Sequence, residues 1–283
     1  RKPVQIAFFF LNFLGLKSEE IKSLLELAAE FVRDGQVDSI RCSTRPDTIN
    51  ERSLGLIMEY PVSTVELGVQ SMNDHVLALA GRGHSATDTV HAVERLKEKH
   101  FSIGLQMMVG LPGDDDTGAL TTAQRIADLG PGFVRIYPTL VVANSRLAEW
   151  YKSGDYAPLS LDEGVTLVKK IYLKFKKAGI DVIRMGLQAS EDLEDRTTVL
   201  AGPHHPAFGH LVHSEIFLDM AISAIDPANA IKETLTIFVN ARSISKMRGL
   251  NNSNIKSLKE QFHFQSITVL PDSALAVEEL KVG

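Results

Sequence analysis

Thiols are nearly absent from this chain: Cys42 is the only cysteine among 283 residues. One thiol forms no internal disulfide, and it cannot by itself hold an iron-sulfur cluster, which takes a set of cysteine thiolates. Long apolar runs are absent as well. No stretch approaches the roughly 20 consecutive apolar residues of a membrane span, and the apolar opening from Ile6 to Leu16 is interrupted by Asn12 and Gly15. No small-residue cleavage site follows that opening, and an amphipathic pattern takes over from Ser18. It therefore reads as a buried strand, not a secretory signal, and the chain as cytoplasmic. Nor is there an excess of basic charge. With 30 Lys and Arg against 35 Asp and Glu, the net charge of −5 excludes a wholly basic nucleic-acid binder and leaves room for a local patch. An initiator methionine is missing too: the chain opens on Arg1, so it is expected to begin inside a longer sequence or to have been processed.

What is present is an ordinary globular composition, 44% apolar and 23% charged, sufficient for one large domain with a small appendage. Strand-like apolar runs (Val4–Phe10, Ser39–Ser43, Thr64–Gly68, Ser102–Val109, Phe133–Pro138 and Asp181–Met185) alternate with helix-like amphipathic runs. The helical runs are Ser18–Arg33, Glu51–Met58, Asn73–Leu79, Ala86–Lys99, Asp116–Leu129, Ser145–Lys152 and Leu161–Ala178. Parallel strands need such crossovers, so the pattern predicts an α/β fold with a parallel sheet or barrel over residues 1–190. Ser18 with Glu19 and Glu20 marks an acidic first turn, Thr87 precedes an amphipathic run, and Gly179 after Lys176 and Lys177 marks a helix end. Charges, Gly202, Pro203 and Pro206 make Glu191–Phe208 a loop, within a linker and helical segment over 191–232. Beyond Glu233 the pattern is strand, basic helix and strand (Thr234–Val239, Asn254–Gln261, Ser266–Leu270), a small α+β unit over 233–283.

In βα architectures the loops leaving the strand C-termini build the site, and polar clusters stand after nearly every strand here. They are Ser43-Thr44-Arg45-Pro46-Asp47, Gly68-Val69-Gln70-Ser71, Gly110-Leu111-Pro112-Gly113-Asp114, Tyr137-Pro138-Thr139 and Arg184-Met185-Gly186-Leu187-Gln188. Any one of them is explained by turn chemistry; their recurrence on one rim points to a ligand. Glu66 and Gln106 lie inside apolar strands and need a partner or a ligand when buried.

The segments IRCSTRPDTI, VELGVQSMND followed by GRGHS, IGLQMMVGLPGD, and VIRMGLQ with AGPHHPAFGHLV resemble the radical S-adenosylmethionine (SAM) proteins related to the Elongator catalytic subunit and to oxygen-independent coproporphyrinogen III oxidase. The resemblance covers nearly the whole chain. It implies a partial, open β/α barrel of the radical SAM type. In such a barrel a 4Fe-4S cluster held by CxxxCxxC reductively cleaves SAM to a 5′-deoxyadenosyl radical that abstracts hydrogen from substrate. It further implies that Ser43, Thr44, Arg45 and Asp47 line the SAM side of the cavity and that Gln70 and Ser71 sit by its ribose or methionine. Met107 and Met108 would approach the adenine, with Arg82 and His84 close by. An Arg suits the SAM carboxylate because a guanidinium holds it bidentately. No catalytic residue is assigned. The implied partners are SAM, a tRNA or small-molecule substrate and a reductant protein, with no membrane. Two departures from the family pattern stand out. CxxxCxxC is absent, so the cluster ligands are not in this chain, and the glycine-rich stretch expected after the strand matching Gln5–Phe9 reads Phe10-Leu11-Asn12-Phe13, whose Cβ atoms restrict positive φ and close approach.

Other groupings have plainer explanations. His204, His205, His210 and His213 lack a zinc-like spacing, and Asp114, Asp115 and Asp116 suit a helix N-terminus. Arg242, Lys246, Arg248, Lys256 and Lys259, beside Gly249-Leu250-Asn251-Asn252, form a solvated face or a contact for a nucleic-acid backbone. Three functions are therefore weighed. First comes a radical SAM enzyme core, then a cluster-less barrel binding RNA or protein. Last is a conventional barrel enzyme with Glu66 or Asp47 as general base. A barrel lacking its first strand exposes unpaired backbone groups, so the chain is expected to unfold at lower urea than a version extended at its N-terminus. Equal midpoints for the two would count against the truncated-barrel reading.

Overall fold

The computed structural model describes residues 4–9, 12–187, 197–225 and 233–283. Phe10 and Leu11 of the glycine-replaced stretch, Gln188 and part of the loop predicted from Glu191 lie outside the described residues. Six strands, β1 (Gln5–Phe8), β2 (Ser39–Thr44), β3 (Val62–Gln70), β4 (Ser102–Val109), β5 (Phe133–Pro138) and β7 (Asp181–Met185), form one sheet in the order β1-β2-β3-β4-β5-β7. Every pairing in it is parallel. The sheet curls into an open β/α barrel. Its crossover helices are α1 (Ser18–Arg33), α2 (Glu51–Met58), α3 (Asp74–Leu79), α4 (Ala86–Glu98), α5 (Asp116–Asp128), α6 (Arg146–Ser153) and α7 (Leu161–Lys177).

Successive side chains on a strand point to opposite faces, and the two faces of this sheet differ. Ile40, Cys42, Val65, Leu67, Leu105, Met107 and Ile136 face the helices and are fully buried with Leu25, Ile57, Leu96, Ile126 and Ile171 in one continuous core. The concave face carries Arg41, Glu66, Gln106 and Arg135 instead, joined to one another by hydrogen bonds. β3 is buried along almost its whole length because both faces are covered. It runs two residues further at each end than its apolar run suggests.

Helix starts follow capping chemistry. Ser85, not Thr87, caps α4: its hydroxyl accepts from the Asp88 N–H while the Asp88 carboxylate accepts from the Ser85 N–H at 2.7 Å. Asp115 accepts from the Gly118 N–H at the start of α5, and Gly179 takes φ +71° after α7. The predicted loop Glu191–Phe208 needs correcting. Val199–Ala201 forms β8, antiparallel to β6 (Val141–Val142), and ties this segment beside the exit of β5. Two and three residues are too short for a readable period.

Helix α8 (Phe208–Ala224) follows. Its first half contributes Phe208 and Val212 to the barrel core; its second half contributes Phe217 and Ala221 to a second core with Leu235, Ile237 and Leu258. That second core belongs to β9 (Thr234–Val239), α9 (Ile244–Arg248), α10 (Ser253–Phe262), β10 (Ser266–Pro271) and β11 (Leu280–Val282), with strand order β10-β9-β11. β10 is parallel to β9 and β11 antiparallel.

A polar latch fastens this unit to the barrel. Glu278 accepts from the Tyr172 hydroxyl at 2.5 Å and pairs with Lys176, while His213 of α8 packs edge-on against Tyr172 with ring centroids 5.1 Å apart. Burial, with Lys246 and His210 nearby, lowers the His213 pKa to about 4. Burial works against the Glu278 carboxylate, but hydrogen bonds from Lys176 and Tyr172 hold its pKa below the usual range. Both shifts act in one direction. Between the ordinary histidine value of 6.5 and about 4 the unfolded chain binds a proton that folded His213 refuses. Its stabilising contribution is therefore present above 6.5 and lost as pH falls toward 4. Urea midpoints are expected to drop from pH 7.5 to pH 5, and His213→Phe to flatten that slope.

Candidate active site

A cavity of about 550 Å³ opens at the C-terminal ends of the strands. Its floor is organised by Glu66, which is wholly buried. One carboxylate oxygen accepts from Arg41 Nη1 at 3.0 Å; the other accepts from Arg135 Nε at 2.7 Å and from Gln106 Nε2 at 3.0 Å. One carboxylate thus serves two guanidiniums, and the floor keeps a net positive charge. Aromatic rings flank both cations: Arg41 lies over Phe133 at 5.0 Å and Arg135 over Phe9 at 5.1 Å. Gly104 makes the first stack possible, since a Cβ there would meet the Phe133 ring at 2.3 Å.

The walls come from the strand ends. Ser43, Gln70, Arg82, Met108, Tyr137 and Arg184 all line the cavity. Ser43 and Gln70 are more than nine-tenths buried, yet among the described residues the Ser43 hydroxyl and the Gln70 carbonyl oxygen have no hydrogen-bond partner. Buried polar atoms left in this state are costly and mark a place for a ligand or water. Gln70 is presented by a local irregularity: the β3–β4 register shifts between Gly68 and Gln70, and Gln70 takes φ +66°. Arg82 reaches in over Gly68, its Nη2 lying 3.8 Å from where a Cβ of that glycine would sit. Burial, and then the charge of Arg45, lower the Arg82 pKa. Among the described residues neither the Arg82 nor the Arg184 side chain has a hydrogen-bond or ion-pair partner.

The other expected site residues divide into supports and core. Thr44 lines the cavity, but its hydroxyl is occupied by Asn12, Thr48 and the Leu14 N–H and so fastens the segment after β1. Arg45 makes a two-pronged pair with Asp47, at 2.9 and 2.6 Å, and donates to the Gly83 carbonyl. This braces the GRGHS loop that carries Arg82, and Asp47 does not line the cavity. Ser71 is fully buried against Thr122 and caps the turn before α3 by accepting from the Asn73 N–H. His84 contacts the Val69 carbonyl at 3.1 Å, and burial is the largest influence on its lowered pKa. Met107 lies in the core on the opposite face of β4 from Met108, as strand alternation dictates.

Arg41 and Arg135 were missed as site residues, and Arg184 was placed in a rim cluster without a role. The available signal for the first two was the one used for Glu66: a charge inside an apolar strand. Glu66 and Asp47 are both engaged by guanidiniums, an arrangement unlike that of a free general base. Cys42 faces the core, and burial, followed by the Glu66 charge, pushes its thiol up to about 12, far from the thiolate a metal requires. A smaller cavity of about 290 Å³ adjoins the first through Arg82 and Met108 and is bounded by Leu111, Leu140 and Trp150.

Comparison with known proteins gives two sequence-family matches. The profile of the radical SAM superfamily matches residues 11–126, and that of the radical SAM C-terminal domain matches residues 131–217. A tRNA uridine(34) acetyltransferase of Methanocaldococcus jannaschii is 32% identical over 128 residues, covering 44% of this chain and 24% of the relative. This chain therefore matches about a quarter of that protein's length. The fold is like that of an N-terminally deleted Elp3 of Methanocaldococcus infernus, with TM-score 0.64 and 24% identity over 75% of this chain and 53% of that one. Coproporphyrinogen III oxidase of Escherichia coli aligns with TM-score 0.51 and 18% identity over 62% and 41%.

Removing one partner from a buried ion cluster strands the others. Glu66→Gln is expected to lower unfolding stability by about 3 kcal/mol in urea denaturation, and adding Arg135→Met to recover part of that loss.

Proposed function

Because the chain belongs to the radical SAM superfamily, we propose that its rim cavity holds SAM in a protein acting on tRNA or another nucleotide-like or small-molecule substrate. The observation that carries the reading is the set of polar groups converging on the cavity with no partner among the described residues: the Arg82 guanidinium and the oxygens of Ser43 and Gln70. They fit the ligand. Arg82 suits the methionyl carboxylate bidentately, and Ser43 and Gln70 suit its ammonium and ribose hydroxyls. Met108 and Phe9 supply apolar wall for the adenine, in a volume within the ordinary ligand-pocket range. Arg45, Asp47 and Ser71 brace these groups from outside the cavity lining, and Thr44, which lines it, spends its hydroxyl on Asn12, Thr48 and the Leu14 N–H.

The 4Fe-4S cluster is a different matter. Among the described residues no group of three or more His, Cys, Asp or Glu side chains is arranged to hold a metal, and the sequence has one cysteine. Cluster ligands must come from outside these 283 residues, with a reductant protein as electron source. When bound, cluster and SAM together supply hydrogen-abstraction chemistry; the residues described here bind, orient and shield. Support for RNA as substrate is the similarity to the tRNA uridine(34) acetyltransferase. On this reading residues 1–190 form the catalytic core, 191–232 the link, and 233–283 an accessory unit.

Isothermal titration of SAM into the purified chain tests the proposal. Wild type is expected to bind SAM, and Arg82→Gln to bind it at least about tenfold more weakly, the loss of one charge-assisted contact. No binding by wild type, or equal binding by the variant, would refute it.

A further inference from the structure

Arg82 and Arg184 enter the cavity from opposite ends. Arg82 belongs to the loop after α3 and lies over Gly68 of β3; Arg184 belongs to β7, the far edge strand. From β3 to β7 the sheet passes through β4 and β5, three interstrand steps, or roughly 14 Å. The two cations are placed to receive separate anionic groups.

Arg184 is also the less comfortable of the two. Its Cα partner on β5 is Arg135, so two cations stand side by side on the concave face. Glu66 compensates Arg135 and already serves Arg41, while no carboxylate among the described residues pairs with Arg184. Like charges at adjacent strand positions destabilise a sheet, and among the described residues the only offset is Glu66, already shared between Arg41 and Arg135. A planar guanidinium facing a cavity is suited to bidentate capture of an oxyanion, and a bound anion would supply the missing charge.

We infer that Arg184 is the receptor for an oxyanionic group of the substrate, phosphate or carboxylate, held at the β7 end of the cavity. The assignment rests on the SAM reading, which gives Arg82 an occupant and leaves Arg184 for a second ligand. Tyr137, from the adjoining strand β5, lines the same cavity. The substrate class is thus anionic: a nucleotide unit of an RNA, or a small carboxylic acid.

The test titrates uridine 5′-monophosphate, uridine and glutarate into the purified chain, with and without saturating SAM. Wild type, Arg184→Gln, Arg184→Lys and Arg82→Gln are compared, and circular dichroism and urea midpoints confirm their folding. An anion is expected to bind wild type at least about tenfold more tightly than uridine or than it binds Arg184→Gln. Arg184→Lys should fall between, and Arg184→Gln should leave SAM affinity unchanged. Preference for the monophosphate identifies a phosphate site, and preference for glutarate a carboxylate site. If both anions bind no better than uridine, or bind Arg184→Gln as well as wild type, the inference is overturned. If SAM fails to bind while anion binding still depends on Arg184, the SAM reading falls and the anion site stands.

Discussion

The site depends on a single carboxylate. Glu66 sits wholly buried in the middle of the sheet and binds Arg41 from β2, Gln106 from β4 and Arg135 from β5. Four strands are cross-linked by side chains as well as by backbone. Without it, the concave face would carry adjacent guanidiniums in a low-dielectric groove. With it, those cations become a fixed, partly neutralised floor. A barrel interior filled with Val and Ile would gain more from burial, but it would leave no polar surface for a ligand. The hydrophobic contribution comes instead from the other face, where Met107 and its neighbours meet the helices.

Strands and helices of the barrel were legible because each is long enough to show its period and each boundary has a chemical cause. α1 and α2 follow their amphipathic runs from first residue to last, and β4 and β5 coincide with their apolar runs. Failures arose where a signal was short or ambiguous. Ser85 and Thr87 are both plausible caps, and only the reciprocal bond with Asp88 decides between them. β6 and β8 are two and three residues long and become strands only by finding each other.

The site was legible by position and less so by role. Residues of the clusters after β2, β3, β5 and β7 line one cavity, but sequence does not tell a group that faces the cavity from one that braces it. Arg45 and Asp47 neutralise each other, Thr44 spends its hydroxyl on Asn12, and Met107 and Met108 separate because neighbours on a strand cannot share a face. Arg135 carries the same signal as Glu66, a lone charge in an apolar strand, and Arg184 stands in the rim cluster after the last strand, but neither position shows that the two are neighbours. What joins them is a strand register, and register is a tertiary fact.

Helix α8 has a consequence for the chain as a whole. It is rich in apolar residues, and its two halves complete two different cores. Such a helix would expose apolar side chains if either neighbour departed. The two sheets it joins are therefore separate in topology but share one cooperative folding unit, with the seam between them running through the helix and not beside it.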